Sequence, residues 1–279
     1  GGIYSQAFLR LKDSSVVTNT APNEAGGGVY NAGAGLEVIG GVIADNVAKL
    51  GGGGIAQTLN STVLLSATHV AFNSATGAGA QAGGVLNLSG MLAAQDTRID
   101  HNVSTGSGGG VFSTGSSTFD RVSIDANISN QNGGGLYSTG STRIRDSVVA
   151  SNRASLTAVA YAGGLYLEAP ALVANSVISG NRAGYGAGLA MTNSVQVYDS
   201  AVYGNQAVEQ VGGAFMVFGG ALTVSRTAVY SNSASGTTAP VGGAGYVQGG
   251  AVVRLINATV SGNAAGNSSA FHVVGGSSL

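Results

Sequence analysis

The 279-residue chain has no cysteine and no tryptophan, only three prolines, and 8% charged residues. Without cysteine there are neither disulfide staples nor thiolate metal sites, so stability must come from burial and hydrogen bonding. The charge content lies far below the roughly 25% of ordinary domains. The net charge of −1 comes from 12 acids and 11 bases scattered singly, which excludes a basic stripe for nucleic acid and a polybasic membrane anchor. Disorder is excluded too, because 44% of the residues are hydrophobic and such a composition can bury enough surface to fold. Between Lys49 and Asp96 no Asp, Glu, Lys or Arg occurs, yet Gly, Ser, Thr and Asn break up the stretch. A spanning helix needs about 20 mainly apolar residues in a row, so direct membrane insertion is not expected.

What the chain has in abundance is glycine, 48 residues of it, and a repeat. Ten asparagines recur in one setting: Asn19, Asn46, Asn73, Asn102, Asn127, Asn152, Asn181, Asn205, Asn232 and Asn263. Three places before each stands Val or Ile, and two places after each stands Ala or Ser. A period of 24 to 31 residues held this often marks a solenoid or array, whose size is not bound by the limits of a single globule. Each repeat opens on small residues, ending at Gly2, Gly28, Gly54, Gly84, Gly110, Gly135, Gly164, Gly188, Ala214, Gly245 and Ala270, and an apolar residue follows each. From that small residue to the Asn the distance is 17 to 19 residues; from the Asn to the next opening it is 7 to 13. One half of the repeat is therefore fixed and the other is a loop of variable length.

Two short alternating runs occupy the fixed half. Apolar pairs stand ten and eight before the Asn, as in Leu36 and Val38 or Leu222 and Val224. Small residues stand five before it and are Ser or Thr in seven repeats: Ser14, Thr68, Thr97, Ser147, Ser176, Ser200 and Thr227. Period-two alternation rich in β-branched residues predicts strands. Each repeat thus reads as three short strands with two tight corners and one looser one, which is one coil of a parallel β-helix. Ten coils at the strand spacing make a rod roughly 48 Å long. The Asn is expected at a corner, in the left-handed conformation, with its amide bonded to its own backbone and to the Asn above and below. The Gly/Ala column marks a bend with no room for a larger side chain.

The elements Gly-Gly-small-apolar, as in Gly26–Val29, Gly52–Ile55, Gly108–Val111, Gly133–Leu136, Gly186–Leu189 and Gly212–Phe215, together with apolar-x-x-Asn, resemble the repeats of polymorphic outer membrane proteins and autotransporter passengers. Val or Ile stands ten times where that family has Phe. The same look occurs in secreted, pectate-lyase-like bacterial proteins. The resemblance implies an all-β fold, a right-handed parallel β-helix of about ten three-strand turns spanning residues 1–279 as a single domain. It also implies an extracellular or bacterial cell-surface protein used as an adhesin or structural rod.

Chemistry is harder to find. One cluster, Asp96-Thr-Arg-Ile-Asp-His101, faces Arg121 and Asp125 of the next repeat. Asp100 and Asp125 both lie two before their Asn and should be vertical neighbours on the outer face, with His101 beside them. Paired carboxylates at such a distance can hold a cation or act as a glycosidase pair. Six before the Asn, however, Asp96, Arg121, Asp146, Asp199 and Arg226 read as exposed charge pairs worth little. Asp100 and Asp125 are therefore expected to be solvated surface residues. The variable loops 74–82, 153–162 and 233–243 carry a single charge, Arg153, and cannot perform acid–base chemistry. His69 and His272 read as isolated. No phosphate loop and no calcium-binding nonapeptide repeat occurs, so neither cofactor nor metal is expected. Two places after the small residue, Tyr4, Tyr30, Leu86, Phe112, Tyr137 and Tyr166 form a row that alternation points outward, able to stack on sugars or meet a partner protein.

The leading expectation is a non-enzymatic structural or adhesive rod. The alternatives are a polysaccharide-active lyase or glycosidase centred on Asp100, Asp125 and His101, and a carbohydrate-binding module using the aromatic row. Starting at Gly1 in register and ending within an eleventh repeat, the chain reads as a segment of a longer rod or as a filament-forming subunit. Its expected partners are copies of itself stacked head to tail, or host or cell-surface glycans and proteins.

Overall fold

The computed structural model describes residues 1–58, 60–156, 159–236 and 239–279. Those residues form strands, turns and connections with no helix. The chain winds as a parallel β-solenoid of about ten turns. The first turn contributes β1 (Ile3–Ser5), β2 (Leu9–Val17) and β3 (Thr20–Ala21). Each pairs in parallel with its equivalent one turn on: Ile3 with Val29, Leu9 with Leu36, Val16 with Ile43, and Thr20 with Val47. Repetition of β1 builds an eleven-stranded sheet that ends at Phe271–Val273. Repetition of β2 builds the longest sheet, and β3 starts a wall of two-residue strands.

The longest sheet is folded over a corner. Six residues before each ladder asparagine the backbone turns left-handed, at Asp13, Asp96, Arg121, Asp146, Asp199 and Arg226 among others. From the third turn onward the strand divides there into two arms, as in Thr62–Ser66 and His69–Ala71. The residues ten, eight and three before the Asn point inward and stack in columns. Val63, Leu65, Val70, Ile99, Ile124, Ile144 and Val202 are all buried in one core that runs the length of the coil. Each such side chain contributes about 1.5–3 kcal/mol on leaving water.

The asparagines form a ladder. Every rung donates Nδ2–H to Oδ1 of the next Asn at 2.8–3.1 Å. The same Oδ1 also accepts the backbone N–H of the Asn below, as Asn152 Oδ1 does from Asn127 at 3.0 Å. From the second rung on, Nδ2–H also reaches back to the carbonyl three before the preceding Asn, as Asn127 does to Ile99 at 2.8 Å. The ladder is buried from Asn46 to Asn232. A second ladder runs through the hydroxyl column. Ser176 Oγ donates to Ala174 O and accepts the N–H of Ser147, and Ser200 Oγ accepts the N–H of Ser176 in turn. Buried polar groups are thereby satisfied in series.

Several expectations need correction. The ladder Asn is not left-handed; the residue before it is, at Thr18, Asp45, Phe72, His101, Ala126, Ser151, Gly180, Gly204, Ser231 and Gly262. A third wall appears immediately after the Asn, and the Ala or Ser two places on is its inward residue, buried from Ala21 to Ala234. The Gly column is as tight as expected: a Cβ on Gly110 would lie 2.7 Å from Gly135 O and 2.9 Å from the Asn127 side chain. In the tenth opening the register is one residue off the expected one. Gly245, not Tyr246, pairs with Phe215 and Phe271 in the inward column. The rings of Phe215 and Phe271 stack at 6.4 Å, on either side of the glycine, and fill the space that its missing side chain leaves.

Candidate functional site

The outer face of the second arm, together with the left-handed column before the ladder, carries the one dense group of ionisable side chains. Asp100 and Asp125 pair in register, as expected, and Arg98 pairs with His69 and Ser123. Asp100 is not solvated, however: it is 2% exposed. His69 Nε2 lies 2.5 Å and Arg98 Nε 3.1 Å from its Oδ1, while His101 Nδ1 lies 2.7 Å from its Oδ2. An Arg98 Nη reaches 3.9 Å from Asp125. His69 is thus not isolated, and the cluster draws on turns 31 residues apart in sequence. His272 is not isolated either, since it stacks on Tyr246 at 5.6 Å.

An ionised carboxylate only accepts hydrogen bonds, so both imidazoles donate to Asp100. That arrangement leaves His69 Nδ1 and His101 Nε2 as the outward-facing ring nitrogens. Beside them the Phe72 ring stacks on His101 at 4.8 Å with 22° between planes. The cluster can orient an imidazole, hold an anion on Arg98, and offer a ring face. Among the described residues no group of three His, Cys, Asp or Glu is arranged to hold a metal ion.

The charge pairs expected six before the Asn are present. Arg121 grips Asp96 through Nε and Nη2 at 2.7 and 3.1 Å, and Arg226 grips Asp199 at 2.7 and 2.8 Å. Hydrogen bonding to the guanidinium holds both carboxyls below their ordinary range. Both pairs lie in solvent, where screening leaves little stabilisation.

The aromatic row lies outside the coil wall, and its exposure is uneven. Tyr4 is 62% exposed while Tyr166 is 9% exposed. Phe112, Tyr137 and Tyr166 stack face to face at 5.0 Å steps, and Tyr4 stacks on Tyr30 at 5.5 Å. Loop residues Tyr161, Val211 and Phe218 cover the stretch around Tyr166. Tyr137 OH donates to Glu168 at 2.5 Å. Burial, and then the Glu168 charge, push Tyr166 up to about 12, and Tyr137 is raised by the same causes together with its bond to Glu168. Residues 157, 158, 237 and 238 of the charge-poor loops lie outside the described residues.

Two features were missed by the sequence reading. The third residue of the strands repeating β1 is a buried polar column, Asn31, Gln57, Asn87, Ser113 and Ser138, which turns apolar from Leu167 onward. Asn31 donates to Gln57 at 2.8 Å and Asn87 to Ser113 at 3.0 Å. Its signal was available, because the same alternation that points Tyr30 outward points Asn31 inward. The other feature is a line of shallow depressions along the outer face of the first arm. One runs from Glu37 to Asp120, the next from Ser116 to Gln196, and a third continues to Ile256; they meet at Thr118 and Gln196. No helix among the described residues is long and apolar enough to cross a membrane. No protein-family model, no curated protein and no solved structure matches the chain.

Proposed function

We propose that the chain is a non-enzymatic β-solenoid rod of a secreted or cell-surface protein, serving as a stiff spacer or adhesive surface. The observation that supports this reading is the uniformity of the scaffold. The same asparagine rung recurs from Asn19 to Asn263, while the length variation is confined to loops poor in ionisable side chains. A rod needs regular longitudinal bonding and a surface that resists edge pairing; a cleft enzyme needs charged loops around a pocket. The Asp100 cluster favours the rival reading of a polysaccharide lyase or glycosidase, and it supplies the test. Incubation with polyuronates and neutral glycans, followed by mass spectrometry of chain lengths, is expected to show no cleavage. Cleavage that disappears in Asp100→Asn would overturn the rod reading. Surface labelling of intact producing cells with an antibody to the chain is expected to be positive, and labelling only after lysis would remove the extracellular placement.

A further inference from the structure

The ten turns act as controls for one another. At the column two before the ladder Asn, turns other than the fourth and fifth carry Val17, Ala44, Ala71, Ala150, Ser179, Tyr203, Tyr230 and Ser261. At the column four before it, most carry Ser, Val, Ala or Thr. The coil therefore closes without any charge at these positions. Three adjacent turns depart from this pattern together, with His69, Arg98, Asp100, His101 and Asp125. Burying the Asp100 carboxylate is costly unless it is paired and fully bonded, and three cationic or imidazole groups are gathered to do so.

The column just before the ladder departs in the same turns. Its backbone is left-handed, and Gly180, Gly204 and Gly262 show that glycine meets its needs. Phe72 and His101 occupy it with φ of 54° each, a conformation bulky side chains rarely adopt. Strain of this kind persists where the side chain is needed. Both rings stand out from the corner, Phe72 at 52% and the His101 side chain at 46% exposed. Arg98 is also half exposed, while the counter-charge on Asp100 is hidden beneath it. The surface offered outward is thus an aromatic face beside a guanidinium and two imidazoles.

From this geometry we propose that Phe72, His101, Arg98 and His69 form a binding site for a pyranose sugar bearing a carboxylate, a hexuronate unit of an acidic polysaccharide. The apolar face of the sugar stacks on Phe72. Its carboxylate takes the exposed N–H groups of Arg98, whose planar fork matches a carboxylate. Asp100 is the positioning residue that holds His69, Arg98 and His101 in one plane of approach. A convex corner engages a polymer weakly per unit, and many sites along many chains supply the strength.

The proposal goes beyond the rod reading and stands or falls separately. The test titrates the whole chain with galacturonate and glucuronate oligosaccharides, and with neutral oligosaccharides of the same length, by calorimetry and by NMR of the sugar. Saturable binding of at least one acidic series is expected, about tenfold or more tighter than the neutral series. Phe72→Gly suits the left-handed backbone, and Arg98→Gln keeps a polar stem; each is expected to weaken binding by about tenfold or more with unchanged circular dichroism. Tyr230→Ala, on the same outer face in a distant turn, is expected to leave binding unchanged. No saturable binding, or binding that both Phe72→Gly and Arg98→Gln retain, overturns the proposal and leaves the rod intact. Shortening of the sugar chains in the same samples overturns the non-enzymatic reading and leaves the site standing.

Discussion

Removing one rung from the middle of the asparagine ladder should be far more damaging than removing the first. Asn127→Ala deletes four side-chain hydrogen bonds: those from Nδ2 to Ile99 O and to Asn152 Oδ1, and those from Asn102 N–H and Asn102 Nδ2–H to Asn127 Oδ1. All are buried, so at about 1 kcal/mol net for each bond the loss is about 4 kcal/mol, within a range of about 2–6. Asn19→Ala deletes two, from Nδ2 to Val17 O and to Asn46 Oδ1, at a site open to solvent. Water replaces part of that loss, and about 1 kcal/mol is expected. The difference, about 3 kcal/mol, corresponds to roughly a hundredfold in the local opening constant. Because a solenoid loses cooperativity along its length, urea unfolding followed by circular dichroism should be paired with hydrogen exchange. Exchange should rise first at the amides of residues 99–104 and 127–130. If the two variants lose the same stability to within about 0.5 kcal/mol, the asparagines act as local corner formers and the ladder contributes nothing longitudinal.

Two further outcomes follow from the same structure. Val122 stands where neighbouring turns have Thr97 and Ser147, whose hydroxyls accept the N–H of Thr68 and of Val122; Val122→Thr restores the missing rung, and thermal unfolding should show a gain of about 0.5–1.5 kcal/mol, a loss instead meaning that the hydroxyl finds no partner. At high pH, Tyr166 opposes folding: its pKa is raised from about 10 when unfolded to about 12 in the fold, so its contribution is complete below about pH 10 and is lost, by roughly 2–3 kcal/mol, as pH rises through 12. Tyr137 shifts in the same direction, so the double variant Tyr137→Phe, Tyr166→Phe should flatten the alkaline fall in urea midpoint, and a parallel fall in parent and variant would show that other groups control it.

The period, the inward columns and the tightness of the Gly/Ala bend were legible in the sequence because each is a local pattern repeated ten times. Features resting on pairs between turns were not. Asp100 read as solvated because the group that shields it, His69, lies 31 residues earlier. Only stacking the columns four and two before the ladder brings the two together. The register at Gly245 was misjudged because a glycine stood where every other turn has a large apolar residue. Its compensation comes from Phe215 and Phe271, in the turns before and after. The left-handed column before each Asn was masked by Phe72 and His101, residues that ordinarily signal strand rather than a positive φ. The short third wall escaped notice because two-residue strands such as Thr20–Ala21 carry no periodicity of their own.

Repetition also changes what an unusual residue means. In an irregular fold a buried carboxylate or an aromatic at positive φ has no internal standard against which to judge it. Here every position has nine counterparts in nearly the same backbone. Arg121 with Asp96 and Arg226 with Asp199 occur twice at the same corner and in the same geometry, which marks them as a general solution for an exposed left-handed residue. The group around Asp100 occurs once, spans three columns, and replaces small or apolar residues that suffice elsewhere. The scaffold demands none of its members, and two of them sit in a conformation that glycine would adopt more easily. A recurrent departure is explained by the coil; a single concentrated one, held against strain and desolvation, calls for a ligand.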